Sequence, residues 1–255
     1  MVFFTRRAAL TSGLALIPAA LRGAGHGEVV VAAAANLTAV FQTIGPAFER
    51  ETGIHPVFSF ASTAQLARQI EERGPFDVLA AADTDHTGAL ERKGLTVPGS
   101  RAVYATGILA LWLPESSSVQ TIGDLSRPQV RVIAAAKPEL APYGQAAVEA
   151  LQSAGIWEAV KSRMVYAPNV GMVLQYGTSG NADAVFTAMS LARTAGGRAL
   201  AVDARLHKPL DQELAVTANA ANKANAAAFV RFLLTGRGRD LLAESGYRVP
   251  GKPSR

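Results

Sequence analysis

The chain has 255 residues, 49% of them hydrophobic and 18% charged, a balance that excludes disordered and fibrous proteins. It contains no cysteine, which excludes a disulfide framework, a thiolate metal site, a thiol nucleophile and a thioether-linked lipid anchor. The formal charge of +5 falls to +2 once Arg6, Arg7 and Arg22 are set aside, since no acid precedes Glu28, so no nucleic-acid-binding patch is needed to explain it.

Residues 1–27 read as an export signal. Arg6-Arg7 form a positive head, Ala8 to Ala20 is apolar apart from Thr11 and Ser12, and small residues follow up to Gly27. The apolar run is shorter than the ~20 residues a membrane span needs. Thr5-Arg6-Arg7 with Leu10 fits a twin-arginine signal, and a Sec signal fits as well. The expected product is soluble, periplasmic and unanchored, with a length that suits two lobes of about 100–150 residues.

From Glu28 onward, strand and helix patterns alternate. Glu28–Ala34 is a Val-rich strand, and Thr38–Glu51 repeats Val40, Phe41, Ile44, Ala47 and Phe48 at helical spacing before Gly53 stops it. A strand over His55–Phe60 leads to Ser62-Thr63 and a helix over Ala64–Arg73, where Ser62 and Gln65 form a capping box. Asp77–Ala82 and Asp85–Lys93 repeat the unit. Val103–Leu113 is a long apolar stretch suited to passing between lobes. Val130–Ala135 is the next strand, followed by the loop 137–144 and a helix to Ala154. Met164–Ala167, a helix from Asn169-Val170 to about Gly177, and strands Asp183–Ala188 and Leu214–Ala218 complete the body. Asn225–Leu234 and Arg239–Ser245 are the closing helices. This alternation predicts an α/β fold with parallel sheets flanked by helices, the chain crossing between lobes near 105 and returning near 218.

In such sheets ligands bind where strands end and helices begin. Four junctions share a chemistry: Ala35-Asn36, Ser62-Thr63, Ala141-Pro142-Tyr143-Gly144 and Asn169-Val170. Each offers small, hydroxyl or amide side chains beside free backbone N–H groups, and none contains Lys, Arg, Asp or Glu. That set suits a small anion held by neutral dipoles. A hydrogen bond to a charged group contributes about 1.5–3 kcal/mol, so six to eight donors would exceed the cost of association and give micromolar binding or tighter. A site of donors alone leaves the O–H of a protonated anion without a partner. It therefore favours a fully deprotonated tetrahedral dianion, sulfate or molybdate, over partly protonated phosphate. Singly, each junction residue is an ordinary helix cap worth about 1 kcal/mol; only convergence makes a site.

Six segments in order resemble the periplasmic molybdate-binding proteins of ABC importers. They are AAAANLTAVF (32–41), FSFASTAQLARQI (58–70), GPFDVLAAAD (74–83), KPELAPYGQAAVEALQSAG (137–155), NVGMVLQYGTSGNADAVF (169–186) and SGYRVP (245–250). The resemblance covers nearly all of the chain after the signal. It implies a two-lobed periplasmic-binding-protein fold of type II, with a tetrahedral oxyanion in the cleft between lobes. By position it places ligand contacts on Ala35, Asn36, Thr63, Tyr143 and Val170, the last through its backbone N–H. It further implies a monomeric receptor for molybdate or tungstate that docks on membrane permease subunits, with no cofactor and no catalysis. Lobe one is expected over 28–106 and 219–255, and lobe two over 107–218. Asn36 and the APYG loop match the asparagine variant of the family rather than its serine variant. Departures are Thr63 where serine is usual, Val185 where a glycine often precedes the phenylalanine, and Ala167-Pro168-Asn169 in place of acidic residues.

Other motifs carry less. Gly177-Thr178-Ser179-Gly180-Asn181 is one glycine short of a nucleophile elbow and reads as a turn. His26, His55, His86 and His207 show no metal-ligand spacing and read as signal, surface or strand-edge residues. Asp83 and Asp85 suit helix capping better than a metal or a general base. Gly236-Arg237-Gly238-Arg239 lacks a preceding strand and reads as a solvated turn, and the sequon Asn36-Leu37-Thr38 has no meaning in a bacterial export product. The rival readings are a receptor for sulfate or another oxyanion, an exported hydrolase, and a sensory module. The hydrolase lacks an elbow, a metal pair and an acid/base pair, and the sensory module lacks any DNA-binding or membrane segment.

Overall fold

The computed structural model describes residues 27–251; the export signal read at 1–27 lies outside them except for Gly27. Two five-stranded sheets organise the chain. The first holds β1 (Glu28–Ala34), β2 (His55–Ala61), β3 (Val78–Ala80), β4 (Ala102–Gly107) and β10 (Leu210–Val216), in the order β2-β1-β3-β10-β4. The second holds β5 (Leu109–Leu113), β6 (Ile133–Ala136), β7 (Met164–Ala167), β8 (Ala184–Ala188) and β9 (Arg198–Ala201), in the order β7-β6-β8-β5-β9.

Helices α1 (Thr38–Thr52), α2 (Thr63–Glu71) and α3 (Asp85–Arg92), with α8 (Lys223–Thr235) and α9 (Arg237–Glu244), cover the first sheet. Its two faces have different cores. One packs Val29, Val31 and Ala33 of β1 against Phe41, Ile44 and Phe48 of α1 and Phe229 and Leu242 of the terminal helices. There Phe48 and Phe229 meet edge-to-face with centroids 5.2 Å apart. The other packs Ala32 and Leu79 against Leu66 and Ile70 of α2 and Leu90 of α3. Alternate β1 residues thus face opposite cores, which explains why that strand reads as continuously apolar. The second sheet is covered by α4 (Pro142–Ser153), α5 (Trp157–Val160), α6 (Val170–Thr178) and the short α7 (Met189–Ala192).

Both sheets keep a parallel part, β1 with β2 and β3 and β6 with β7 and β8, while β10 runs antiparallel to β3 and β4, and β5 antiparallel to β8 and β9. One expectation needs correction: the return boundary at 218 is displaced. The last strand begins at Leu210 and belongs to the first sheet, so the chain recrosses between Ala201 and Leu210. The run Asp211-Gln212-Glu213 hid its start, because polar residues broke the apolar pattern although Gln212 and Glu213 are buried. The apolar stretch 103–113 divides into β4 and β5 at Ile108, where the chain changes sheets.

Candidate functional site

All four junctions named from the sequence converge on one gap between the lobes. It is lined by Ala34, Ala35 and Asn36 after β1, Ser62 and Thr63 at α2, Ala82 after β3, Ala141, Pro142 and Tyr143 at α4, and Asn169 and Val170 at α6. Asn36, Thr63, Tyr143 and Val170 are each 3% exposed or less. No charged side chain lines the gap. The gap is narrow, and most of the residues that line it from the two lobes are buried.

Each helix reaches the gap with one N–H left over from its own capping. In α6, the Asn169 side chain accepts from Gly171 N–H at 3.1 Å and Met172 N–H at 3.0 Å, leaving the first helical donor, Val170. In α2, Ser62 accepts from Gln65 N–H at 3.4 Å and donates to Gln65 Oε1 at 2.8 Å. The Ala64 N–H crosses to Leu140 O of the other lobe at 3.2 Å, and Thr63 N–H remains. In α4 the first residue is Pro142, which has no N–H, so Tyr143 carries the first donor. Asn36 sits in the 3-10 turn Ala35–Leu37 that follows β1. The N–H groups of Asn36, Thr63, Tyr143 and Val170 have no acceptor among the described residues, as first-turn donors lack helical partners. The Thr63 hydroxyl accepts from Ala82 N–H at 3.1 Å, so its proton is available as a fifth donor.

The side chains of Asn36 and Tyr143 are placed differently from what a ligand role would require. Asn36 Nδ2 donates to Gln212 Oε1 at 2.8 Å and to the Tyr247 hydroxyl at 2.9 Å, which occupies both of its hydrogens. The Tyr143 hydroxyl lies beyond the gap, 3.5 Å from Gln212 Nε2 and against Gly107, where any Cβ would overlap it. Full burial pushes the Tyr143 phenol well above its ordinary range, so it stays neutral. The side chains of both residues thus brace the gap from behind, engaged with Gln212, Tyr247 and Gly107.

The bracing residues were not singled out in the sequence. Gln212 and Tyr104 are 0% and 1% exposed, and Ser190 and Tyr247 are 4% and 5% exposed. Only Tyr247 left a trace, within the terminal SGYRVP segment. The hydroxyls of Ser190 and Tyr247 lie 3.0 Å apart and reach the Asn36 carbonyl at 2.9 and 2.8 Å. Ser190 belongs to lobe two, so this contact spans the lobes beside the crossover at Ile108.

The rejected motifs stay apart from this gap. Gly177 and Thr178 close α6 and Ser179–Asn181 form the turn after it, with Gly180 at φ 77°; Gly236 separates α8 from α9, and Arg237, Gly238 and Arg239 belong to the first turn of α9 rather than to a solvated turn. Asp83 caps α3 through His86 N–H at 3.0 Å and holds the His86 ring at 2.7 Å, which raises the imidazole pKa. His86 is thereby part of a half-buried pair rather than a free surface residue. Among the described residues no helix is long and apolar enough to cross a membrane, and no group of three metal-ligating side chains occurs.

A two-lobed α/β molecule with neutral donors converging at its cleft is a ligand receptor. The bacterial extracellular solute-binding protein model matches residues 29–248, and the chain belongs to that family. It is 33% identical to the molybdate-binding protein ModA of Rhodobacter capsulatus over 94% of this chain and 93% of that one. Against ModA of Azotobacter vinelandii it is also 33% identical, over 97% of this chain and 99% of the relative. The solved periplasmic molybdate-binding protein of Azotobacter vinelandii superposes with a TM-score of 0.83 and 29% identity, covering 87% of this chain and 99% of that structure.

Proposed function

We infer that this chain captures molybdate outside the cytoplasm and delivers it to an ABC importer, as a binding protein and not an enzyme. The relatives named above support the ligand. One structural observation carries the reading: residues at helix and turn N-termini of both lobes, whose N–H groups have no acceptor among the described residues, line one gap with no charged side chain in its lining. Asn36, Thr63, Tyr143 and Val170 supply four backbone donors, Thr63 Oγ1 supplies a fifth, and Ala35 lines the wall. At about 1.5–3 kcal/mol for each donor to a charged acceptor, five donors contribute roughly 8–15 kcal/mol before the cost of association is subtracted. The helix dipoles add to it, at about 0.3–1 kcal/mol per terminus. Both lobes contact the ion only when closed, so the ion selects the closed form, and that form is what a permease would recognise. A monomer exported through its N-terminal signal completes the reading.

Calorimetric titration of the chain from Glu28 with molybdate, tungstate, sulfate and phosphate tests it. Saturable heat with molybdate and tungstate and none with phosphate is expected. Saturation by sulfate alone would replace the reading with a sulfate receptor, and no heat with any oxyanion would refute it.

A further inference from the structure

We propose that Gln212 is a positioning residue of the oxyanion site, acting through Asn36. The proposal rests on the oxyanion reading of the gap. Gln212 comes from β10, the strand that returns from lobe two, and it sits where the β10–β4 register shifts between Gln212 and Glu213. Such a bulge re-aims side chains out of the strand's alternation. The Gln212 side chain is fully buried but does not line the gap. Its orientation is dictated by two backbone carbonyls: Nε2 faces Leu210 O at 3.2 Å and Ala82 O at 3.5 Å. An amide turned the other way would set oxygen against oxygen.

With Nε2 committed there, Oε1 must face Asn36, and it accepts only from a donor. That requirement fixes the Asn36 amide with Nδ2 toward Gln212, at 2.8 Å. The Tyr104 hydroxyl donates its one proton to Ala81 O at 3.1 Å and lies 3.4 Å from the same Oε1, so the Asn36 amide is the donor that holds this acceptor. Once its amide is fixed, Asn36 closes a ring with Tyr247. Nδ2 donates to the hydroxyl at 2.9 Å, and the hydroxyl reaches the Asn36 carbonyl at 2.8 Å. The side chain and the main-chain carbonyl of Asn36 are thereby locked together, which restrains the residue whose N–H is assigned to the ligand. Gln212 thus carries the geometry of β10 and of the Ala82 carbonyl, two residues past β3, into the ligand site without touching the ligand.

A double-mutant cycle distinguishes positioning from general stabilisation. Molybdate affinity is measured by calorimetry for the parent chain, Gln212→Met, Asn36→Ala and the double variant, with ligand-free unfolding recorded for each. Gln212→Met is expected to weaken binding about tenfold, the loss of one to two buried hydrogen bonds. In the Asn36→Ala background the same change is expected to weaken it no further. If the losses multiply, Gln212 does not act through Asn36 and the assignment is overturned. Should Gln212→Met fail to fold, Tyr247→Phe takes its place in the cycle, with the same non-multiplicative result expected. Failure of the parent chain to bind any oxyanion would instead bring down the oxyanion reading, and this assignment with it.

Discussion

Thr63 and Tyr143 both carry hydroxyls at the cleft, in different circumstances. The Thr63 oxygen accepts from Ala82 N–H at 3.1 Å, which leaves its proton for the gap, whereas the Tyr143 hydroxyl is turned toward Gln212 and Gly107. Thr63→Ala should therefore weaken molybdate binding ten- to a hundredfold, the range expected for a hydrogen bond to a charged group. Tyr143→Phe should change it by less than about threefold, since a 3.5 Å contact is weak. Calorimetry on the two variants checks both; the opposite ranking would place the phenol at the anion. At this scale the sequence was readable only in part. It identified which residues flank the gap, because strand ends followed by small residues and helix starts are local features. It could not show that the Asn36 amide is used up by Gln212 and Tyr247, since partners 176 and 211 residues away meet only in the fold.

Among elements, the junction at α4 is the most constrained. Gly144 follows Tyr143 in the first turn, and a Cβ on it would run into the carbonyl of Ala136 at the end of β6 and lie 3.1 Å from the Lys137 carbonyl carbon. Backbone cannot yield as a flexible side chain can. Gly144→Ala should destabilise the ligand-free protein by about 1–3 kcal/mol, as overpacking does, and weaken binding by displacing the Tyr143 N–H. Chemical denaturation followed by titration measures the two effects separately, and unchanged stability would show that α4 can move off β6. The capping box at Ser62 and the Gly53 stop, at φ 70°, were visible in the sequence because caps depend on residues within one turn. Strand β10 was less so. Gln212 is satisfied by the network behind the site, and Glu213 by Arg101 at 2.8 Å and by the Thr87 hydroxyl. Polar residues buried by distant partners read, in sequence, as a loop. Strand β9 escaped detection because as an edge strand it is only half-buried.

For the molecule as a whole, the lobes are described in a closed arrangement, with Ala64 N–H on Leu140 O and Ser190 on the Asn36 carbonyl. Parting of the lobes is the expected route by which an ion enters and leaves. Small-angle scattering should show a smaller radius of gyration with saturating molybdate than without. An identical radius in both conditions would mean that the lobes do not exchange between open and closed forms.

The position of β10 has a consequence for how the protein is made. Lobe two is assembled from one uninterrupted stretch, Leu109 to Ala201, whereas the first sheet has β10 wedged between β3 and β4. During synthesis that sheet stays split into two pieces with open edges until Leu210–Val216 emerge, and α8 and α9 come later still. The part of the chain made first is thus among the last to become native, after a long-range closure of the kind that slows folding. A nascent chain held in this half-built state remains threadable through a translocation channel, while any export route that demands a finished fold must wait for the carboxy terminus.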